Sequence, residues 1–222
     1  EAFKILWEYD IDINNLKCPK LKTSPLEHNC SGKHAAFLAT CKKMNWPLDS
    51  YLKGDHPLQI EIFRIVSELL QIPSSEINAE RDDCGAPTLY LKLLEMSRLY
   101  SLLSSSENAE LEQISRAMTI NPIMIGDNNK FDSEIIKASH GNVIGKGGAE
   151  GIQCLCKVNE GIGLALKVED GSKRAKHAVS LHLLKQLEWI SDLRIQDIEE
   201  KVFNFSEGVR IEVKGQLKFQ ES

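Results

Sequence analysis

The stretch that decides the fold class is residues 143–168, which read VIGKGGAEGIQCLCKVNEGIGLALKV. Three apolar runs, at residues 143–144, 153–158 and 162–168, are separated by a glycine-rich turn and an Asn-Glu-Gly turn. Apolar runs bounded by such turns are typical of β-strands. Strands that are joined by tight turns pair in antiparallel order. We therefore predict an α/β fold in which helices pack on an antiparallel sheet.

Helices are predicted on both sides of this sheet. C-terminal to it, apolar residues at helical spacing predict a long amphipathic helix over residues 172–190, and alternating apolar residues predict a closing strand over 209–219. N-terminal to it, we predict a helical region from about residue 30 to 140, preceded by one strand and irregular connections in residues 1–29. Its helices are predicted at residues 34–44, 58–70, 89–103 (started by Pro87), 111–118 and 134–139.

The composition is that of an ordinary globular chain, with 222 residues, of which 42% are hydrophobic, and a net charge of -5. Basic residues are scattered, which argues against nucleic acid or a membrane surface as a partner. No apolar run approaches the roughly 20 residues that a membrane span needs, and the start of the chain does not have the pattern of a signal peptide. We therefore expect the six cysteines to be free thiols in a cytoplasmic, reducing setting.

Two short segments place reactive side chains close together. Residues 29–34, NCSGKH, bring a thiol, an amine and an imidazole just before a predicted helix, whose start also favours an anion. Residues 82–87, DDCGAP, put two carboxylates beside a thiol, which suits a metal or a substrate ammonium group. The plainer interpretations are a small-residue turn with a surface lysine in the first segment and a helix cap at Asp83 in the second.

A third segment, residues 145–151, has the sequence GKGGAEG between two predicted strands. Glycine lets the backbone approach a ligand closely and adopt conformations that other residues avoid. Lys146, at a strand edge beside such a gap, can receive a proton or hold a carboxylate. The GxxxxGK[ST] spacing of a phosphate loop is absent, so nucleotide binding is not indicated. A simple glycine-rich turn explains the segment equally well.

Taken together and in order, these segments resemble the type II L-asparaginase family, the serine-dependent, zinc-binding kind known from rhizobia. The resemblance extends from about residue 25 to 190. The matching stretches are residues 28–34 (HNCSGKH), 55–59 (DHPLQ), 82–87 (DDCGAP), 146–151 (KGGAEG), 163–168 (GLALKV) and 170–171 (DG).

The resemblance implies a fold like that of the serine β-lactamases and penicillin-binding proteins, with residues 1–222 in a single asparaginase-like domain. It implies an amidohydrolase that converts L-asparagine to L-aspartate and ammonia through a Ser–Lys mechanism, with Lys146 as the catalytic lysine. A serine needs a base of this kind because its own hydroxyl is almost never ionised at neutral pH. It also implies a homodimer.

Zinc is the cofactor that the resemblance implies, held by Cys30, Lys33 and Cys84. Two thiolates and a nitrogen suit zinc, and a lysine ligand must be neutral, which the charge of the ion promotes. We expect the ion to orient the substrate or to be structural. The residues expected to bind the substrate or to surround the site are His34, Asp82, Gly148 and Glu150.

The chain also departs from the family pattern. The family's nucleophile lies in a Ser-x-x-Lys motif well upstream of the segment that contains Cys30, and the 29 residues before Cys30 do not contain it. We therefore expect the N-terminal part of the family domain to be absent. Residues 50–53, SYLK, fit the pattern but fall in a predicted loop, and we interpret them as a chance match. Asp132 stands where the family has a further cysteine.

Two other functions remain open at this point. Without the motif of the nucleophile, the chain could be a non-catalytic zinc- or amino-acid-binding fragment or a degenerate homologue. Its six cysteines also allow a redox or scaffold role. We interpret His140, His177 and His182 as ordinary surface or helix residues.

Overall fold

The computed structural model describes residues 1–19, 23–203 and 210–218. Within these ranges the chain divides into two compact units, Glu1–Leu91 (the N-terminal unit) and Lys92–Ser222 (the C-terminal unit). The mixed α/β class, with helices packed on antiparallel strands, is confirmed. The likeness to β-lactamases and the single family domain stay predictions.

Helices dominate the N-terminal unit. Its helices are α1 (Ala2–Glu8), α2 (Ser31–Lys43) and α3 (Pro57–Leu70), followed by the strands β1 (Ala79–Arg81) and β2 (Pro87–Leu89). The two strands pair in antiparallel order around residues 82–86. α3 begins where predicted because Pro57 needs no N–H partner at the first position and the side chain of His56 accepts from the Leu58 N–H.

The core of this unit forms where α1 and α2 pack together and the loop after α2 folds back over them. Tyr51, in that loop, is fully buried, and its hydroxyl accepts from the Lys17 N–H at 3.0 Å. Cys84 brings the β1–β2 hairpin against the same core. The fully buried apolar side chains here include Leu6, Leu38, Cys41 and Leu58.

Two predictions for this unit are wrong. The strand predicted within residues 1–29 is wrong for their described part, where α1 forms because Ala2 and Leu6, one helical turn apart, are both buried in the core; residues 20–22 lie outside the described residues. Pro87 starts strand β2 instead of a helix, and the next helix begins only at Leu93. Pro87 is tolerated there because it stands at the first position of an edge strand, where a missing N–H leaves no gap in a ladder.

The C-terminal unit contains the predicted sheet. In its described part, strands β3 (Val143–Gly147), β4 (Ile152–Lys157) and β5 (Ile162–Lys167) form one antiparallel sheet in the order β3-β4-β5. The helices are α4 (Leu93–Ser104), α5 (Ala109–Ile120), α6 (Pro122–Gly126), α7 (Phe131–Ala138), α8 (Lys173–Gln186) and α9 (Asp192–Val202). α4 lies so close to β5 that a Cβ at Gly163 would overlap the backbone of Ser97 and Ser101.

Three outcomes differ from the predictions for this unit. Helices α6 and α9 were not predicted, and α8 ends at Gln186, before residue 190. The closing strand predicted over 209–219 is wrong for its described part, because residues 210–218 contain no strand; positions 209 and 219 lie outside the described residues. This segment runs along α8 instead, where the Gly215 carbonyl accepts from His182 and Gln186 at 2.9 Å each.

Candidate active site

The first candidate region is a corner of the N-terminal unit, formed by Cys30, Lys33, His34, Asp82 and Cys84 and called here the cysteine–lysine corner. Cys30 stands at the start of α2, and Lys33 lies in its first turn. Asp82 and Cys84 lie in the loop of the β1–β2 hairpin. Two segments about 49 positions apart in sequence thus bring the predicted metal ligands to one part of this unit.

Asp82 organises the hairpin loop. One carboxylate oxygen, Oδ1, accepts from the backbone N–H of Cys84 at 2.9 Å and of Ala86 at 3.1 Å. Gly85, with φ of 80°, takes the left-handed conformation that lets this tight loop close. The other oxygen, Oδ2, accepts from Lys33 Nζ at 3.0 Å, which ties the loop to helix α2.

The charges in this corner depend on one another. Burial works against ionisation of Asp82, but hydrogen bonds with Cys84 and Lys33 outweigh it and lower the pKa of Asp82 to about 2. Burial also works against the charge of Lys33, yet its hydrogen bonds with Asp82 and Cys84 raise the pKa of Lys33. Burial, together with Asp82, raises the pKa of the Cys84 thiol to about 11. Without a bound cation the corner therefore holds an ammonium–carboxylate pair beside a neutral thiol.

His34, predicted to bind the substrate or to surround the site, is buried. Its side chain is 0% exposed, and its Nδ1 lies 2.6 Å from the Tyr51 hydroxyl. Its Nε2 is buried without a hydrogen-bond partner among the described residues. Burial and the neighbouring Lys33 lower the pKa of His34 to about 4, so the ring is neutral near pH 7. In the structure His34 is a buried core residue that contacts Tyr51.

The donor atoms of the corner fit zinc by type. Cys84 is 2% exposed and Cys30 is half-buried against the same core, and the amine of Lys33 donates to Asp82 in the Cys84 loop at 3.0 Å. In the part of the chain that the structure describes, no group of three or more His, Cys, Asp or Glu side chains could hold a metal ion. The predicted ligand set includes Lys33, which would first have to lose its proton to bind a metal ion.

The second candidate region is the glycine turn, residues 146–152, which joins β3 to β4 in the C-terminal unit. Glu150 and Gly151 both have positive φ, at 52° and 75°, and the Gly148 N–H donates to the Ile152 carbonyl at 2.9 Å. Gly151 has no room for a side chain, because a Cβ there would lie 2.9 Å from the Val168 carbonyl oxygen. The glycine at position 151 is thus explained by the backbone conformation and by the lack of space for a side chain.

Lys146, the predicted catalytic lysine, is exposed on β3 at the start of this turn. It pairs with Cys154 in the strand register, and its Nζ donates to the Gly147 carbonyl at 2.5 Å. Gly148 and Glu150 are exposed beside it. The amine is therefore accessible and next to a rigid stretch of backbone.

Three side chains that were not predicted as site residues support this turn, and we call them the turn clamp: Asp132, Gln153 and Lys176. Asp132 accepts from the Gly147 N–H at 2.8 Å and from Gln153 Nε2 at 2.9 Å. Lys176 donates to the carbonyls of Gly148 and Ile152 at 3.1 and 3.0 Å. The sequence signal for them is weak, because an aspartate at a helix start and a lysine on an amphipathic helix are both typical of surfaces.

The residues that the sequence analysis interpreted as ordinary, three histidines and Ser50, make structural contacts or are exposed. His177 stacks on Phe131 with 4.0 Å between ring centroids, and burial lowers its pKa to about 4. His182 donates to the Gly215 carbonyl, and His140 is exposed after α7. Ser50 lies in the loop before α3, where its carbonyl accepts from the Lys53 N–H at 2.9 Å. All six cysteines fall in the described ranges and are free thiols.

The family model for L-asparaginase II matches residues 1–219, almost the whole chain. The chain belongs to the L-asparaginase II family. A search of curated proteins gives no match. Membership supports an asparaginase-like amidohydrolase with a small-molecule substrate. Among the described residues, no helix has the length and apolar character to cross a membrane.

Proposed function

We propose that this chain is an L-asparaginase-like amidohydrolase, which hydrolyses L-asparagine to L-aspartate and ammonia through a Ser–Lys mechanism. The observation that carries the proposal is the family match over residues 1–219. The exposed amine of Lys146, at the start of a turn with a rigid backbone, supports the assignment of Lys146 as the base.

The proposed role of Lys146 is to move one proton twice. As a neutral amine it takes the proton of a serine hydroxyl while the serine oxygen bonds to the carboxamide carbon of asparagine. It then gives that proton to the departing nitrogen, the C–N bond breaks, and ammonia leaves an acyl ester on the serine. A water molecule hydrolyses the ester and releases aspartate. Gly148 and Glu150, both exposed beside Lys146, are proposed to line the substrate position.

We also propose that Cys30, Lys33 and Cys84 hold a zinc ion, which would supply a positive charge that orients the substrate or braces the corner. Asp82 supports this role because its two backbone hydrogen bonds keep the Cys84 loop in place. Lys33 would have to release both its proton and its contact with Asp82. His34, buried behind the corner, is proposed to support it through Tyr51 and not to contact substrate.

A second function, binding of zinc or an amino acid without turnover, is favoured by one observation. The three proposed zinc ligands all lie in the N-terminal unit, so the corner can form without any residue of the glycine turn. Zinc bound by a chain that releases no ammonia from asparagine would support this function. Robust turnover would exclude it.

The proposed setting is a homodimer in the cytoplasm. The six free thiols support a reducing compartment. Large apolar side chains exposed on α5 and α6 (Ile114, Ile120, Ile123 and Met124, each at least half exposed) support an interface with a second copy. The molar mass of the chain in solution tests this part of the proposal.

The test of the catalytic assignment is ammonia release from asparagine by wild type and Lys146→Met, with glutamine as the control substrate. We expect kcat to fall by about 10²–10⁴-fold, which is the usual contribution of a positioned base. Lys173→Met is the matched control, since it removes the same charge from an exposed position on α8. An unchanged kcat in Lys146→Met would contradict the assignment.

A further inference from the structure

Lys176 is a lysine that helix α8 buries against the glycine turn. Its side chain is 5% exposed, and its amine donates to the carbonyls of Gly148 and Ile152, one near each end of the turn. Burial lowers the pKa of Lys176, although the charge of Asp132 opposes this. Burying an ammonium group is costly unless its hydrogen bonds are satisfied. The hydrogen bonds of the buried Lys176 amine therefore restrain the turn whose carbonyls accept them.

Asp132, at the start of α7, holds the same turn through other backbone groups. Its carboxylate accepts from the Gly147 N–H through Oδ2 and from the Gln153 amide through Oδ1. Gly147 and Gln153 stand opposite each other in the β3–β4 register. One carboxylate thus spans the two strands at the point where the turn leaves them.

The side chains of the turn clamp pack directly against Gly147. A Cβ at Gly147 would lie 2.7 Å from Lys176 Nζ and 3.1 Å from Gln153 Oε1, so a residue with a side chain would displace them. The two backbone groups of Gly147 also have separate partners. Its N–H donates to Asp132, and its carbonyl accepts from Lys146 Nζ.

A rigid peptide group connects the clamp to Lys146. The Gly147 carbonyl and the Gly148 N–H belong to one planar trans peptide, so they point in opposite directions. The Gly148 N–H donates to the Ile152 carbonyl, which also accepts from Lys176. Fixing the Ile152 carbonyl therefore fixes the plane of this peptide, and with it the direction of the carbonyl that holds the Lys146 amine.

We propose that Lys176 and Asp132 are positioning residues for Lys146. They hold the Gly147–Gly148 peptide so that the Lys146 amine is kept in one place at the start of the turn. The link to turnover rests on the proposed function, in which Lys146 is the base. The link to the position of Lys146 does not, because it follows from the hydrogen bonds alone.

The experiment follows the Lys146 side chain by NMR in protein labelled with ¹³C and ¹⁵N at lysine, with its signal assigned by its disappearance in Lys146→Arg. We compare wild type with Lys176→Met and Asp132→Asn. In both variants we expect the Lys146 side-chain signal to move to the position of a solvated lysine and its amine hydrogens to exchange faster with water. In Asp132→Asn the Gly147 amide proton is also expected to shift upfield, because the charged acceptor is lost.

Lys173→Met is the control, since it removes a nearby positive charge from the same helix without touching the turn. It should leave the Lys146 signal unchanged. A Lys146 signal that stays the same in Lys176→Met and Asp132→Asn, while the remaining spectrum shows an intact fold, would overturn the proposal. If Lys176→Met does not fold, Asp132→Asn decides alone, because asparagine keeps the size of the side chain.

Turnover supplies a second readout. If wild type releases ammonia from asparagine, both clamp variants should lower kcat by about tenfold or more with little change in KM, because the base is displaced and substrate contacts remain. A change in KM alone would overturn the positioning role. If wild type is silent, the proposed function fails and the NMR comparison still decides whether the clamp positions Lys146.

Discussion

The two candidate regions are built in different ways. In the cysteine–lysine corner, side chains meet from elements far apart in sequence, and Lys33 and Asp82, 49 positions apart, form its ion pair. In the glycine turn, neighbouring residues, three of them glycines, form a tight backbone path that the side chains of the turn clamp hold by hydrogen bonds. The corner therefore depends on which donor atoms are present, whereas the turn depends on where side chains are missing.

The largest expected effect is on the corner. Cys84→Ser replaces a soft thiolate donor by a hydroxyl, and we expect bound zinc to fall from about one per chain to near zero, because zinc prefers sulfur and nitrogen ligands. Elemental analysis of the purified protein measures this. Cys154→Ser is the control, since Cys154 is equally buried but lies on β4 in the other unit. Equal zinc in wild type and Cys84→Ser would remove the corner from consideration as a metal site.

The second prediction compares the stability of the two regions by making the same substitution, glycine to alanine, once in each. Gly151→Ala in the turn should lower the free energy of unfolding by about 3 kcal/mol, because the Cβ meets the Val168 carbonyl and φ is positive. Gly32→Ala, in the helix of the corner, meets no atom within 4 Å and should change stability by less than about 1 kcal/mol. Urea denaturation measures both. Similar losses would show that the turn is no more constrained than the corner.

The smallest effect concerns an ion pair outside both regions. Glu134 is 3% exposed and bonds to Lys137 and Lys201, each at 2.8 Å. Burial works against its ionisation, but the two lysines outweigh it and lower the pKa of Glu134. A lowered folded-state pKa means that this stabilisation is present above the unfolded-state pKa near 4.5 and is lost as the pH falls below it.

Glu134→Gln should therefore lower the free energy of unfolding by about 1–2 kcal/mol at pH 7. The difference from wild type should shrink as the pH drops below about 4.5. Denaturation curves at several pH values test this, with Glu199→Gln, an exposed glutamate on α9, as the control. A difference that stays constant down to pH 3 would show that the ion pair is not its source.

Much of the fold could be predicted because its signals are local. α3 follows from helical spacing, a proline at its first position and Ile72-Pro73 beyond its end. The sheet follows from glycine turns that separate short apolar runs, and all three predicted strands in residues 143–168 are confirmed. The predictions failed where a short apolar run suits either structure. In such a run, packing decides between helix and strand. Residues 2–8 form helix α1, whose buried side chains share a core with those of α2.

The candidate residues divide in the same way. Cys30, Lys33, Cys84 and Lys146 belong to short segments of unusual composition, so their positions could be predicted from the chain. Lys176 could not, because a lysine on an amphipathic helix is normally exposed, and only the packing of α8 turns this one inward. His34 was expected to bind the substrate or to surround the site, and only the tertiary structure shows that it is buried beside Tyr51.

The sequence by itself determined the α/β class, the antiparallel strand order, the family and the chemical groups available for a site, because these depend on residue types and spacings along the chain. Only the tertiary structure decided that Asp82 pairs with Lys33 and that Lys176 and Asp132 form hydrogen bonds with the backbone of the glycine turn. Such contacts join residues distant in sequence, and their charges are set by burial and by neighbours. Both arise only when the chain is packed.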